Sequence, residues 1–372
     1  MSDFKKTYTV AIGGKGMTKI VEMGGDRPVT IQTMWKSSLV GADIEDIART
    51  LGGLSALGCD IVRFAIPDME SADVLVRLAA ITPMPLVADI HFDHKLALRC
   101  MDGNVAKIRI NPGNIGSRDK VKAVVDKARD TNTAIRIGVN SGSLPRDLQD
   151  RIEAVRLSGG DAVSARAEAL AETASREAAL FDEFNFRNVL VSMKASSVAE
   201  TIRCNEAFAR VHDIPLHIGV TEAGPIIGGI VKSTLAFSAL LGEGIGATVR
   251  VSLSDTMENE VIAAREILGE CGKRAGGVRI VSCPRCGRNG FDVHGFVARW
   301  QNELLSMKKD ITVAVMGCVV NGPGEGKHAD IGITGAGDRI IIFRKGETVR
   351  TVSASAGIEA VDKAFREELS KL

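Results

Sequence analysis

The chain has 372 residues, 45% of them hydrophobic, 25% charged and only 4% aromatic, with a formal net charge of +1. This is a globular composition with no overall electrostatic attraction for nucleic acid and few rings for stacking bases. The length exceeds one ordinary core and fits two domains, one with room for a barrel of roughly 250 residues.

The first six residues, Met1 to Lys6, are polar and lead into no apolar core of a secretory signal. Residues 7–21 alternate weakly around Gly13-Gly14-Lys15-Gly16 and predict a hairpin. No helix follows those glycines, so they read as a turn and not as a phosphate cradle. Eight runs rich in β-branched residues come next: Val29–Met34, Ile61–Ile66, Leu86–His91, Ala106–Asn111, Ala134–Asn140, Asn188–Lys194, Leu216–Glu222 and Thr248–Leu253. Helical periodicity fills most of the intervals, as in Ile44–Leu57, Arg118–Asp130, Val163–Phe181, Ser197–Val211 and Ile230–Leu241. The most apolar stretch, Ile226 to Leu241, is broken by Gly228, Gly229, Lys232 and Ser233 and is too short to span a bilayer. A cytoplasmic protein with no membrane partner is expected.

Eight strand–helix units over residues 1–270 predict a (β/α)8 barrel, with a doubly wound open sheet as the alternative. The strand ends carry Gln32 and Thr33, Arg63, Asp89 and His91, Arg109 and Asn111, Arg136 and Asn140, Lys194, Glu222, then Arg250 and Ser252. In a barrel those ends converge on one mouth, where active sites sit. A basic residue inside an apolar β-run is costly to bury without an anion. Arg63, Arg109, Arg136 and Lys194 come from four strands, so they either pair with carboxylates such as Asp89 and Glu222 or together face a phosphate group. Asn140, Ser141 and Ser252 are candidate neutral donors. His91 and His94 read as hydrogen-bonding residues and not as metal ligands; Glu222 reads as a general acid or as a partner of an arginine.

Cys271 to Gly277 is a small-residue break and the expected linker. Beyond it, residues 278–372 predict a small α+β domain. Its strands are Val278–Ser282, Ile311–Met316, Asp330–Ile333 and Arg339–Arg344, with a turn at Lys345-Gly346-Glu347 and helices over Gly295–Leu305 and Gly357–Leu369. The first two strands each deliver cysteine. Of seven cysteines, Cys59, Cys100, Cys204 and Cys271 read as inert thiols. The other three lie in Cys283-Pro284-Arg285-Cys286 and in Gly317-Cys318-Val319-Val320-Asn321-Gly322-Pro323-Gly324-Glu325-Gly326. Thiolates bind soft metal centres, and a C-x-x-C turn plus a later cysteine supplies three ligands. His328 would complete a structural Cys3His zinc site, and Glu325 would give a cluster iron an oxygen ligand. The spacing favours iron and sulfur, because structural zinc sites usually take two tight pairs of ligands. The glycines and proline at 322–324 leave backbone amides free for cluster sulfides or an anion.

The segments CPRCGR and GCVVNGPGEG resemble the cluster-binding signature of the bacterial 4-hydroxy-3-methylbut-2-enyl diphosphate synthases of the non-mevalonate isoprenoid pathway. The resemblance continues through Asp89 to Phe92, Lys107 to Asn114 and Arg136 to Leu144, so it covers nearly the whole chain. It implies a [4Fe–4S] cluster on Cys283, Cys286, Cys318 and Glu325. It also implies a cyclic diphosphate clamped by the basic mouth residues, and reductive ring opening of that substrate. The chain has no nucleotide fingerprint of its own, so the implied electron donor is reduced flavodoxin or ferredoxin. The family further suggests a homodimer in which the cluster domain of one chain caps the barrel of the other. Two departures are local: Thr33-Met34-Trp35-Lys36-Ser37 differs from the Ser-Met-Thr-Asn-Thr run of the family, and Gly326 stands where Ala is common. Two other readings compete. One is a barrel enzyme on a phosphorylated or pterin-like ligand with a structural zinc site. The other is a non-catalytic zinc ribbon, which the absence of a basic stripe with interleaved aromatics disfavours.

Overall fold

The computed structural model describes residues 3–287, 290–318 and 324–372, with Glu325 described as backbone only. The chain forms two compact units, Met1–Arg274 and Ala275–Leu372.

In the first unit, β1 (Val10–Ile12) and β2 (Val21–Met23) make the expected antiparallel hairpin. Eight parallel strands follow: β3 (Thr30–Met34), β4 (Ile61–Ala65), β5 (Leu86–Asp89), β6 (Lys107–Ile110), β7 (Ala134–Asn140), β8 (Val189–Lys194), β9 (His217–Ile218) and β10 (Thr248–Val249). They hydrogen-bond in the order β8-β7-β6-β5-β4-β3-β10-β9. A parallel bridge between Val191 and Leu216, with the Val191 N–H donating to the Pro215 carbonyl at 3.1 Å, joins the two ends. The sheet therefore closes as a barrel, which the doubly wound alternative would not do.

Most of the strand residues are buried because helices cover the outside while side chains fill the inside, so these runs lack polar alternation. The helices begin where short polar side chains cap them. Asp43 accepts from the Glu45 and Asp46 amides, Asp68 from Ser71, Asp93 from Lys95, Ser197 from Glu200 and Thr256 from Asn259. The hairpin closes the floor of the barrel: Val10, Ile12 and Met23 pack with Ile61, Val87, Ala134 and Leu190. The last two strands are far shorter than the runs Leu216–Glu222 and Thr248–Leu253 predict. Chain beyond Ile218 turns out of the ladder, and Glu222 sits in the left-handed region at φ 49, ahead of the helix Ile226–Gly242.

The second unit is a five-stranded sheet in the order β11 (Val278–Ser282), β12 (Ile311–Met316), β13 (Ile331–Ala336), β14 (Arg339–Arg344) and β15 (Glu347–Ser353). The first three are parallel and the rest antiparallel. Helices Val293–Leu305 and Ile358–Leu369 supply Phe296, Trp300 and Phe365 to its main core. Phe365 meets both other rings at 5.0 Å between centroids in edge-on contacts, and Trp300 Nε1 donates to Asp362 Oδ1 at 3.0 Å. A strand over 347–353 is absent from the sequence reading, which placed only a turn there. β15 is an edge strand with mostly exposed residues, so it carries little hydrophobic alternation to detect.

Candidate active site and cluster site

Strand register assembles the charged centre of the barrel. Asp89 stands opposite Arg109, and Arg109 opposite Arg136, on three successive strands. Asp89 Oδ1 accepts from Arg109 Nη1 at 3.1 Å, while Oδ2 lies 3.5 Å from Arg63 Nε and 3.7 Å from His91 Nε2. Burial penalises the Asp89 charge, but Arg63, the His91 hydrogen bond, Arg109 and Arg136 together outweigh it and hold the carboxyl well below the usual range. Arg109 also donates from Nη2 to the Gly138 carbonyl at 3.3 Å. Arg63 donates from Nη2 to Met34 Sδ at 2.9 Å. Burial lowers the Arg63 pKa to about 10, with Asp89 opposing, so it remains a cation at neutral pH.

The other two predicted cations have no carboxylate partner among the described residues. Arg136 is 1% exposed, and its Nε and Nη1 find no hydrogen-bond acceptor there. Burial, then repulsion from Arg63 and Arg109, pushes its pKa well below the ordinary value. Lys194 Nζ lies 3.0 Å from His217 Nε2, and His217 Nδ1 lies 3.4 Å from Thr248 Oγ1. Burial, then Lys194 and Arg136, holds the fully buried His217 well below its usual pKa. A neutral imidazole thus accepts from Lys194 at Nε2 and donates from Nδ1 to Thr248.

Arg250 completes the ring differently. Its Nη2 is 3.3 Å from Glu260 Oε1, a carboxylate that is 1% exposed. Glu260 also accepts from Thr33 Oγ1 at 2.7 Å and the Leu253 amide at 3.0 Å, and pairs with Lys36 Nζ at 3.1 Å. Five basic residues, Arg63, Arg109, Arg136, Lys194 and Arg250, thus share two carboxylates among the described residues, one of which Lys36 also claims. That excess suits a polyanion. Burial, then Arg136 and Arg63, holds the Lys194 pKa well below its ordinary value.

The remaining predicted residues divide. Asn140 ends β7 and spends its Oδ1 on the Gly142 amide at 3.1 Å, which orders the turn Ser141–Ser143. Asn111 caps the next short turn through the Gly113 amide at 3.1 Å, leaving its buried Nδ2 without an acceptor among the described residues. Ser252 lies just beyond β10. His94 Nδ1 sits 3.6 Å from Asp93 Oδ1 at a helix start, too far for a hydrogen bond. Glu222 is exposed and forms no ion pair with any of the arginines among the described residues. Lys36, Met34, Glu260, His217 and Lys107 join the site unannounced. Lys36 and Met34 fall in the segment that departs from the family pattern, and Glu260 is a helix residue that no strand-end search reaches.

In the second unit, parallel β11 and β12 bring two cysteine-bearing ends side by side. Ser282 is opposite Val315, the Cys283 amide donates to the Val315 carbonyl at 3.1 Å, and the Gly317 amide donates to Cys283 Sγ at 3.0 Å. An amide aimed at sulfur stabilises thiolate, which fits a metal-binding role. Cys318 is 8% exposed, Cys283 half-buried and Cys286 exposed. Among the described residues, no three His, Cys, Asp or Glu side chains gather as a metal site. The loop residues Val319 to Pro323 and the Glu325 side chain, the candidate fourth ligand, lie outside the described residues. His328 is exposed and ends the short turn Glu325–His328. Gly326 has a physical reason: a Cβ there would lie 2.7 Å from Cζ of Phe343. The thiols of Cys59, Cys100 and Cys204 are buried and pushed up to about 12 by that burial, as inert thiols should be, whereas Cys271, which caps the end of the helix Met257–Glu270, is only partly buried.

A family model described as the GcpE TIM-barrel domain matches residues 14–265, and one described as the GcpE protein C-terminal domain matches residues 279–367. The chain is 64% identical over 372 residues to a Treponema pallidum protein named 4-hydroxy-3-methylbut-2-en-1-yl diphosphate synthase (flavodoxin), covering 99% of this chain and 92% of the relative. A Treponema denticola protein of the same name is 60% identical over 387 residues, covering 100% of both. Among solved structures, a 3-dehydroquinate dehydratase from Geobacillus kaustophilus resembles it with TM-score 0.45 and 13% identity, over 73% of this chain and 98% of that one. With both family models covering consecutive parts of the chain and relatives this similar over full length, the chain belongs to the GcpE family.

Proposed function

We propose that this chain is a 4-hydroxy-3-methylbut-2-enyl diphosphate synthase: it opens 2-C-methyl-D-erythritol 2,4-cyclodiphosphate reductively and releases the hydroxylated alkene diphosphate. Two electrons and one proton enter, the ring C–O bond to phosphate breaks and a hydroxyl leaves as water. The diphosphate gains one negative charge. The observation that carries the substrate reading is the excess of buried and partly buried basic residues over carboxylates in the barrel, above all Arg136 and Lys194. Family membership and the names of the relatives support the reaction.

In this reading Arg63, Arg109, Arg136 and Lys194 neutralise the diphosphate, with Arg250 beside them. Asp89 holds Arg63 and Arg109 in place, and Glu260 does the same for Arg250. His91, Asn140 and Ser252 add hydrogen bonds to the substrate. Glu222, exposed in its turn, is the candidate to hold or give the proton.

Cys283, Cys286 and Cys318, with Glu325, would hold a [4Fe–4S] cluster, which when bound supplies single electrons and a Lewis-acidic iron. Reduced flavodoxin or ferredoxin is the donor. The working unit is a cytoplasmic homodimer in which the barrel and cluster domain of different chains make each site. No helix among the described residues is long and apolar enough to cross a membrane.

Anaerobic purification tests the reading. Brown protein with about four iron and four sulfide per chain, and turnover of the cyclic diphosphate with reduced flavodoxin, is the expected result. Stoichiometric zinc without sulfide would leave a barrel enzyme with a structural zinc site. Cys283→Ala, Cys286→Ala and Cys318→Ala should each lose the absorption, whereas Cys59→Ala and Cys204→Ala should keep it. Neutral replacements of Arg109, Arg136 or Lys194 should keep the spectrum and weaken diphosphate binding by about 1.5–3 kcal/mol each.

A further inference from the structure

Lys107 opens β6 and lies two residues before Arg109, so both side chains fall on the inner face of the barrel, with Lys107 about 6–7 Å deeper. It is fully buried, and its Nζ has no hydrogen-bond partner among the described residues. Its neighbours in register, Val87 and Ala134, belong to the apolar floor that Val10, Ile12 and Met23 of the hairpin close. The polar groups that border this floor are engaged elsewhere: Tyr8 donates its hydroxyl to the Val189 carbonyl at 3.3 Å and Lys15 Nζ donates to Thr133 Oγ1 at 2.6 Å.

The other groups around it are known strand by strand. Gln32 of β3 is uncharged, with both amide atoms unpartnered among the described residues. Arg63 comes from β4, Asp89 from β5, Arg109 from β6 itself, Arg136 from β7, Lys194 from β8 and His217 from β9. Arg250, following β10, has its charge answered by Glu260. Asp89, the single carboxylate on the barrel strands among the described residues, is already held by Arg63 and Arg109. A sixth cation here would be buried, unpaired and surrounded by like charge. Burial, then Arg136 and Arg63, accordingly drives the Lys107 pKa well below its ordinary value. A neutral amine avoids both the desolvation of a charge and the repulsion from these arginines.

We infer that Lys107 is a proton-binding site beneath the anion ring, neutral in the empty barrel and charged by uptake of a proton from solvent when a diphosphate occupies the ring. The diphosphate brings at least two negative charges to the mouth, and in a poorly screened interior they cancel most of the positive field that disfavours a charge on Lys107. No bond forms or breaks other than N–H. Diphosphate affinity then becomes linked to pH, and the floor of the site contributes charge only when an anion is present. This rests on the diphosphate reading above.

Titration calorimetry with inorganic pyrophosphate at about pH 8, in two buffers of different ionisation enthalpy, measures the protons taken up per anion bound. Wild-type protein should take up about one more proton than Lys107→Met or Lys107→Gln; ionisation of pyrophosphate itself is common to all three and cancels in the difference. Equal uptake in wild type and a folded variant would overturn the inference while leaving the anion site standing. No pyrophosphate binding by wild type would overturn the anion site, and this inference with it. Should neither variant fold, lysine Cε resonances of labelled Lys194→Gln protein decide. One resonance should pass from amine to ammonium on saturation with pyrophosphate, and a spectrum with no such change would refute the assignment.

Discussion

Gly138 and Arg109 approach across adjacent strands so closely that a Cβ on Gly138 would lie 2.2 Å from Arg109 Nε. The glycine backbone is ordinary there, so the position requires small size and not an unusual conformation. Gly138→Ala should therefore act on the guanidinium, moving it off both Asp89 and the Gly138 carbonyl. Overpacking of about 1–3 kcal/mol at this contact corresponds to roughly tenfold or more in pyrophosphate affinity if it falls on Arg109. Calorimetry on folded Gly138→Ala protein checks it. Unchanged affinity would mean that Arg109 does not touch the anion.

The ring was legible in the sequence because charge inside an apolar β-run has few explanations. Arg63, Arg109 and Arg136 sit between Ile, Val and Phe residues, and their common destination follows from strand count and closure. Their pairing was not legible, since which cation claims Asp89 depends on register and side-chain reach. Glu260 was hidden because its helix reads as amphipathic and its buried carboxylate looks like any other helical Glu. Strands β9 and β10 were overextended because β-branched composition continues past the point where the ladder ends, and Glu222 was placed on a strand for the same reason. Lys107 falls in a segment that resembles the family, but its burial without a partner among the described residues is a property of the closed floor.

Gly326 faces Phe343 at 2.7 Å from the position a Cβ would take, and Gly332 faces the same ring at 2.2 Å. The ring thus occupies space next to the turn that begins with Glu325. Gly326→Ala should displace that turn and reduce cluster retention under mild oxidation, read from loss of visible absorption. Adding Phe343→Leu removes the ring and should restore it. If the single variant keeps its cluster as wild type does, the turn tolerates the methyl and the glycine has another cause.

Glu177 provides a pH test of the barrel itself. Burial pushes its pKa up to about 7, with the Gly113 backbone N–H beside it pulling the other way. The unfolded chain titrates near 4.3, so between about pH 4.3 and 7 the native state binds more protons than the unfolded one. Stability from this residue therefore falls as pH rises through that window and levels off above it. Glu177→Gln should be the more stable protein at about pH 8, with the gap closing near pH 4. Melting temperatures across the range decide, and parallel curves would mean that Glu177 titrates normally.

The final prediction concerns which chains complete each site. The first unit ends at the barrel face opposite the mouth: Arg274 Nη1 pairs with Asp60 Oδ2 at 3.3 Å, immediately before β4 begins. Eight residues lie between Arg274 and Cys283, and the nine steps reach about 30 Å when fully extended. If the proposed reaction holds, substrate at the mouth must meet the cluster, and so short a tether makes delivery to the same chain's mouth awkward. A second copy removes that constraint, since in a two-fold dimer each cluster domain can serve the other barrel. Arg109→Ala protein and Cys318→Ala protein, each inactive alone, should then regain activity when co-assembled. A mixed dimer has one site built from the intact barrel of the Cys318→Ala chain and the intact cluster of the Arg109→Ala chain. Its other site carries both defects. Random assembly makes about half of all dimers mixed, and one of two sites works in each, so activity should approach about a quarter of wild type. Mass spectrometry of differently tagged chains verifies exchange. Full exchange with no recovered turnover would place barrel and cluster of each site in a single chain.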